Sequence, residues 1–228
     1  MTTLQRYMPN LDRMVRVDRQ DFDIAANWKV VAEDGIDGYH VFLSGPAHRA
    51  FGRFMDGHGL RMINRPDWIL LHAGPGSPDS GVYDYRSNIG KGQTPDYVTF
   101  FLWPDLLIFT FPHVGAVWSF PMTPTGPERT HEEVVAYTPG GCALDEVTAA
   151  AVRWMAEVLG PEDVALNVGV QQGLRSPARR QGRLLIDAAR GDMSEHAIHC
   201  FQACVLEALG RLPAGSAATL LSPPTEVG

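Results

Sequence analysis

Residues 97–124 read YVTFFLWPDLLIFTFPHVGAVWSFPMTP. Aromatic and β-branched side chains crowd this run, and two turn signals, Trp103-Pro104-Asp105 and Pro112-His113, cut it into pieces of strand length. It predicts the centre of a β-sheet. Towards the C-terminus, THEEVVAYTP (130–139) alternates, with Val134 and Ala136 on one face and Val135 and Tyr137 on the other, and predicts the last strand. Upstream, LRMINRPDWILLHAG (60–74) predicts two short strands around a Pro66-Asp67 turn, and LDRMVRVDRQ (11–20) alternates weakly, as an edge strand would. Between these lies the polar, turn-rich stretch from Pro75 to Pro95, a surface loop.

The pattern changes to helix after residue 140. LDEVTAAAVRWMAEVL (144–159) has helical periodicity with Gly160-Pro161 as its stop, and Pro161 with Glu162 and Asp163 then opens a second helix, PEDVALNVGVQQGLRS. A last helix, MSEHAIHCFQACVLEALG, is expected to be capped by Ser194 and to end at Gly210. The tail LPAGSAATLLSPPTEVG reads as disordered. Strands first and helices last imply an α+β fold, an antiparallel sheet wrapped on a long C-terminal helix. A single domain is expected over 1–211, with a disordered tail over 212–228.

Composition narrows the function. The 228 residues are 45% hydrophobic and 20% charged, enough for one sizeable core, and the formal charge of -7 argues against a phosphate-binding surface. No Lys/Arg run suggests nucleic acid or an anionic membrane, and no apolar run approaches a membrane span. A cytoplasmic protein with a small-molecule partner is expected. Cys142, Cys200 and Cys204 form no metal knuckle; the last two share a helix face and read as buried thiols.

Chemistry concentrates in NWKVVAEDGIDGYHVFLSGPAH (27–48), where His40 and His48 stand among Glu33, Asp34 and Asp37. A mononuclear Fe(II) that must bind oxygen takes two imidazoles and one carboxylate on one face and keeps the other positions open. Asn27 is the expected N-cap of a helix through this motif, which would set Asp37 one turn before His40, able to accept its second N–H. On a straight helix His40 and His48 would be about 12 Å apart along the axis, so the chain must turn at Ser44-Gly45-Pro46 to bring them together. His58 is a spare ligand candidate. The third ligand is expected to be Asp163, at the positive end of a helix, with Gln171, Gln172 and Arg175 orienting that helix or lining the pocket mouth. His72, His113, His131, His196 and His199 read as ordinary core or surface residues, as do the side chains of Glu33 and Asp34. Trp103, Trp118, Phe109 and Phe120 read as core before substrate cage.

NWKVVAEDGIDGYH resembles the catalytic-domain signature of the large (alpha) subunit of Rieske non-haem iron ring-hydroxylating oxygenases. FFLWPDLLIFTF and WSFPMTPTGPERT resemble that family's central strands, EDVALNVGVQQGLRS its C-terminal ligand helix, and EHAIHCFQACVLEALG its closing helix. The resemblance runs from about Asp12 to Gly210. It implies a helix-grip (START-like) fold, His40 and Asp163 as iron ligands, and Asp37 as the carboxylate bridging the electron donor and the iron. It also implies Fe(II) with O2 as co-substrate, and hydroxylation of an aromatic or other apolar small molecule in aromatic hydrocarbon catabolism. His48 follows His40 at a wider spacing than the family's second histidine, so the second imidazole is His48 or His58. The family's N-terminal Rieske module needs a CxH…CxxH pattern, and with Cys142 the first cysteine no iron–sulfur cluster is expected in this chain. Electrons are therefore expected from a separate Rieske or ferredoxin-type protein, and a homotrimer is implied. The alternative is a non-redox helix-grip protein that binds an apolar small molecule after losing its iron site or electron path.

Overall fold

The computed structural model describes residues 3–8, 10–76, 96–112, 114–140, 144–178 and 182–219. His113, Cys142, residues 77–95 of the surface loop expected over Pro75 to Pro95, and residues 220–228 of the expected tail lie outside the described residues. The chain opens with a short helix α1 (Thr3–Tyr7) and a long strand β1 (Met14–Ile24). Three helices follow, α2 (Trp28–Ile36), α3 (His40–Leu43) and α4 (Pro46–Gly52), and then six strands: β2 (Arg61–Asn64), β3 (Trp68–Ala73), β4 (Tyr97–Leu102), β5 (Leu106–Thr110), β6 (Val117–Gly126) and β7 (Arg129–Pro139). The helices α5 (Glu146–Trp154), α6 (Gly160–Leu174), α7 (His196–Ala208) and α8 (Ser216–Thr219) complete it.

All seven strands form one antiparallel sheet in the order β1-β7-β6-β5-β4-β3-β2. Strands β2 to β7 run as a meander, while β1 returns to pair along β7, from Met14 opposite Pro139 to Ile24 opposite Thr130. The edge position expected for residues 11–20 is the one observed. Strand β4 shows why the central run reads as unbroken apolar sequence: Tyr97 and Phe101 join the core under the helices, while Val98 and Phe100 pack on the other face with Leu70, Ile108, Val117 and Met8 beside α1. A strand covered on both faces loses the alternation that marks a half-solvated one. The fold is the expected mixture of helices and antiparallel sheet.

The break at Gly160-Pro161 does not occur. Leu159 (φ −71°, ψ −53°) and Gly160 (φ −57°, ψ −45°) keep helical geometry, and α5 runs into α6 through a widened, π-type turn at Met155–Leu159. Proline lacks an N–H and its ring crowds the carbonyl four residues back, so a turn that bonds five residues apart accommodates Pro161 without ending the helix. Asp163 consequently sits inside a long helix, and the positive end that was to favour its carboxylate lies 17 residues away at Glu146. Nor does Ser194 cap α7: its hydroxyl oxygen accepts the Asp187 N–H (3.2 Å) and contacts His196 Nδ1 (2.5 Å). The first part of the expected disordered tail is packed. Glu207 accepts the backbone N–H groups of Gly215 (2.8 Å) and Ala217 (3.0 Å), and Ala217 is buried.

Cys200 and Cys204 are buried as expected, their thiols directed at the carbonyls of Arg65 (3.7 Å) and Pro66 (3.4 Å) in the β2–β3 turn. The densest packing lies under β5 and β6. Phe111, fully buried, sets its ring 5.1 Å from Phe51, 5.5 Å from Trp118 and 5.7 Å from Trp154, tying α4 and α5 to the sheet. Phe111→Ala is expected to cost about 3–5 kcal/mol of stability, measured as a lower midpoint in urea unfolding at unchanged slope.

Candidate metal centre

Asn27 caps α2 as expected, its side-chain oxygen accepting the Lys29 N–H at 3.1 Å. The helix then stops at Ile36. Asp37 takes an extended backbone (φ −82°, ψ 123°) and its Oδ1 accepts the Tyr39 N–H at 2.9 Å, so Asp37 and His40 are joined by a turn and not by a shared helix. Asp37 Oδ2 is 3.9 Å from His40 Nδ1, beyond hydrogen-bond reach, and His40 Nδ1 is buried without a hydrogen-bond partner. The chain reverses at Ser44-Gly45, and α4 carries His48 back until its ring centroid lies 5.1 Å from that of His40.

The long helix meets this reversal with two consecutive carboxylates. Asp163 Oδ1 is 2.7 Å from His48 Nε2, and Glu162 Oε1 is 2.6 Å from His48 Nδ1. Glu162 also accepts the backbone N–H groups of His48 (2.9 Å) and Ala47 (3.2 Å), which α4 leaves without helical partners. One ligand atom from each of His40, His48 and Asp163 falls within 4.8 Å of the others. His58 is outside this group; its side chain is fully exposed, 4.0 Å from Asp192. Of the residues expected to orient the ligand helix, Gln171 accepts the Asn27 N–H (2.9 Å) and donates to Glu128 (3.0 Å), Arg175 pairs with Glu128, and Gln172 is exposed.

Burial and charge set the protonation. Burial holds His40 below its ordinary value, against the pull of Asp163 and Asp37, and leaves a neutral imidazole. Burial also disfavours the His48 cation, but the carboxylates of Asp163 and Glu162 on its two nitrogens outweigh it and raise its pKa to about 9. Burial lifts Asp37 to about 6, with His40 opposing. The set fits a divalent metal: two imidazoles and a carboxylate converge, Glu162 fixes the far nitrogen of one ring, and the free His40 nitrogen is an orphan that the protein itself does not satisfy.

A cavity opens beside these residues. Its volume is about 90 Å³. Phe51, Tyr97, Phe109, Phe120 and Met155 supply apolar wall, so Phe109 and Phe120 face the cavity while Trp118 is core and Trp103 packs on Trp28 and Phe201. Two carboxylates that the motif reading passed over are here as well. Asp34, 3.9 Å from His40 Nε2, accepts the Asn167 amide N–H at 2.9 Å; burial and the nearby Asp163 charge raise its pKa well above the carboxylate range. Glu132, on β7, is raised to about 8 by burial and by the charges of Asp163 and Asp34. Both were readable in principle. Asp34 shares the buried face of α2 with Val30 and Val31, and Glu132 shares the inward parity of Val134 and Ala136.

His48 gives the metal-free protein a defined pH response. Its folded value lies above the ordinary 6.5, so its contribution to stability is fully present below 6.5 and is lost as pH rises through about 9. Asp37 and Glu132, also raised, act in the same sense at lower pH. The thermal midpoint of metal-free protein is expected to fall across that window, and His48→Gln to remove the part above about 8, where Glu132 no longer contributes. Gly45 supplies a second test. A Cβ there would come within 2.1 Å of the Glu162 carboxylate, so Gly45→Ala is expected to displace Glu162, release the His48 ring and weaken metal binding roughly 10–100-fold.

Residues 11–211 match the family model described as ring hydroxylating alpha subunit, catalytic domain. The carnitine monooxygenase oxygenase subunit of Escherichia coli K12 is 28% identical over 177 residues, covering 77% of this chain and 45% of that protein. The chloroplastic choline monooxygenase of Amaranthus tricolor is 23% identical over 192 residues, 81% of this chain and 39% of that one. The chain thus spans under half the length of these curated relatives. Among solved structures, a quaternary ammonium Rieske monooxygenase in complex with L-carnitine superposes with a TM-score of 0.70 at 23% identity, over 91% of this chain and 55% of the other. The helices and antiparallel sheet described above are therefore shared with such enzymes, and the chain belongs to the ring-hydroxylating alpha-subunit family, whose catalytic domain its residues 11–211 match.

Proposed function

We propose that the chain is the oxygen-activating component of a non-haem iron monooxygenase acting on a small molecule that carries an ammonium group. The observation that carries this reading is the convergence of His40, His48 and Asp163 within 4.8 Å at the inner end of a cavity walled by aromatic residues. Fe(II) held by those three side chains would supply what no side chain can, activation of O2 for insertion of oxygen into a C–H bond. The protein's own part is geometric. Glu162 locks the His48 ring, Asn167 steadies Asp34 and the Asp163 backbone carbonyl (2.9 Å to each), and Phe109, Phe120 and Tyr97 keep water from the substrate.

Asp37 is assigned the link between His40 and a separate electron-transfer protein, because it stands behind the ring on the turn leading out of α2. Docking of that protein and the homotrimer implied by the family resemblance belong to the same reading. Two curated relatives are named for carnitine and choline, and this supports an ammonium-bearing substrate; aromatic hydrocarbon catabolism draws no support from them.

The test is anaerobic Fe(II) loading followed by nitric oxide, read as the high-spin iron–nitrosyl electron paramagnetic resonance signal. Stoichiometric iron is expected in the wild type and none in His40→Ala, His48→Ala or Asp163→Ala. A wild type that takes up no iron sinks the oxygenase reading and leaves the non-redox ligand carrier. Asp37→Asn separates the two roles: it is expected to keep the nitrosyl signal and lose turnover with added reductant. Full coupled turnover in that variant would remove Asp37 from the electron path.

A further inference from the structure

Glu132 stands where a carboxylate is costly. It occupies the inner face of β7, in line with Thr130, Val134 and Ala136, opposite Phe22 of β1 and Met122 of β6. Thr130 settles its hydroxyl by donating to the Ala26 carbonyl at 2.8 Å, and the next inward residues are apolar. Glu132 has neither a hydrogen bond nor an ion pair among the described residues, and its carboxylate lines the cavity. Glu132 is partly buried, and a carboxylate held there without a partner loses solvation that the fold does not return.

The cavity offers it nothing in return. Among the described residues its lining contains Asp34, Glu132 and Asp163 and no Lys or Arg. His48 is held between Glu162 and Asp163, and His40 is kept neutral by burial. Asp163 belongs to the metal set, and Asp34 receives the Asn167 amide. Glu132 alone is left without a role in holding the site together. Were the cavity built for a neutral apolar molecule, a leucine or glutamine at this position would serve better, since either avoids the cost of burying charge. Among the described residues no side chain brings Glu132 a positive charge, and a cationic ligand would. Phe120 stands on the same cavity wall, two residues along β6 from Met122, the partner of Glu132, and its ring is 5.2 Å from that of Phe109 on β5; the faces of such rings attract an alkylammonium without needing an N–H.

We infer that Glu132 is the anionic anchor for the ammonium group of the ligand, which it holds together with the aromatic faces of Phe109 and Phe120. This rests on the reading that the substrate is bound and oxidised in this cavity, and it names the residue that makes the cavity select cations. The other titratable groups facing it are Asp163 of α6 and Asp34 of α2.

The test compares two probes of one shape, choline and 3,3-dimethylbutan-1-ol, in which a carbon replaces the charged nitrogen. Binding is measured by titration calorimetry on metal-free protein and, under anaerobic conditions, on Fe(II)-loaded protein. The wild type is expected to prefer choline by roughly tenfold or more, the worth of one charge-assisted contact. Glu132→Gln should bind the two alike, while showing an equal or higher urea midpoint and keeping the iron–nitrosyl signal; Glu132→Asp should retain part of the preference. Equal binding of both probes by the wild type, no binding of either, or an undiminished preference in Glu132→Gln overturns the inference. The two readings fail separately. Absence of the nitrosyl signal removes the oxygenase and leaves a cation site standing, whereas a full signal without cation preference removes the anchor alone.

Discussion

One buried imidazole ring holds the site together. His48, 2% exposed, has a carboxylate on each nitrogen, Glu162 on Nδ1 and Asp163 on Nε2, and the two carboxylates are neighbours in sequence. The Glu162 contact does double duty, because the same carboxylate takes the free N–H groups at the start of α4. The long helix and the Ser44-Gly45 reversal are thereby fixed to one another through a single side chain. Two carboxylates around one ring make its cation stable while no metal is present, and a metal ion would replace that proton on the Asp163 side. The arrangement is already organised around a positive charge at that point, whether proton or metal.

The widened turn before Pro161 makes this possible. A break at Gly160-Pro161 would have put Glu162 and Asp163 in the first turn of a separate helix, whose direction would depend on the connection before it. Because the helix continues, both carboxylates are carried on a rigid element anchored at the far end by Gln171, which bonds to the Asn27 backbone and to Glu128. Helix α2 is tied to the same element by Asp34 and Asn167. The residues around the cavity are thus held by three helices whose relative positions are set by polar contacts as well as by apolar packing.

Charge gives the cavity its character. Its walls are largely aromatic and aliphatic, yet three carboxylates open into it with no lysine or arginine among the described residues to balance them. Low polarizability of the surroundings raises the cost of each negative charge and at the same time strengthens its attraction for any cation that enters. A divalent metal at one place and an ammonium group at another would each relieve part of that cost.

Much of this was legible in the amino-acid order. The strands over residues 60–139 are marked by turn residues and apolar runs, Asn27 by its capping chemistry, and the histidines and Asp163 by their residue types within motifs that resemble a known family. The order of residues also required a reversal at Ser44-Gly45-Pro46, since two histidines so spaced cannot meet on one helix. It could not reveal that Gly160-Pro161 would be absorbed within a helix, because whether a proline ends or widens a turn depends on what packs around it. Nor could it assign Glu162, and for Asp34 and Glu132 periodicity gave the inward face without the cavity beyond it. An acidic residue on a helix or strand reads as solvated by default, and only the packing of α2, α4, α6 and β7 around one space made these partly buried carboxylates. Local sequence determined which elements form and which donors are available; the tertiary structure decided which charges lose their water, and that loss is what gives the site its chemistry.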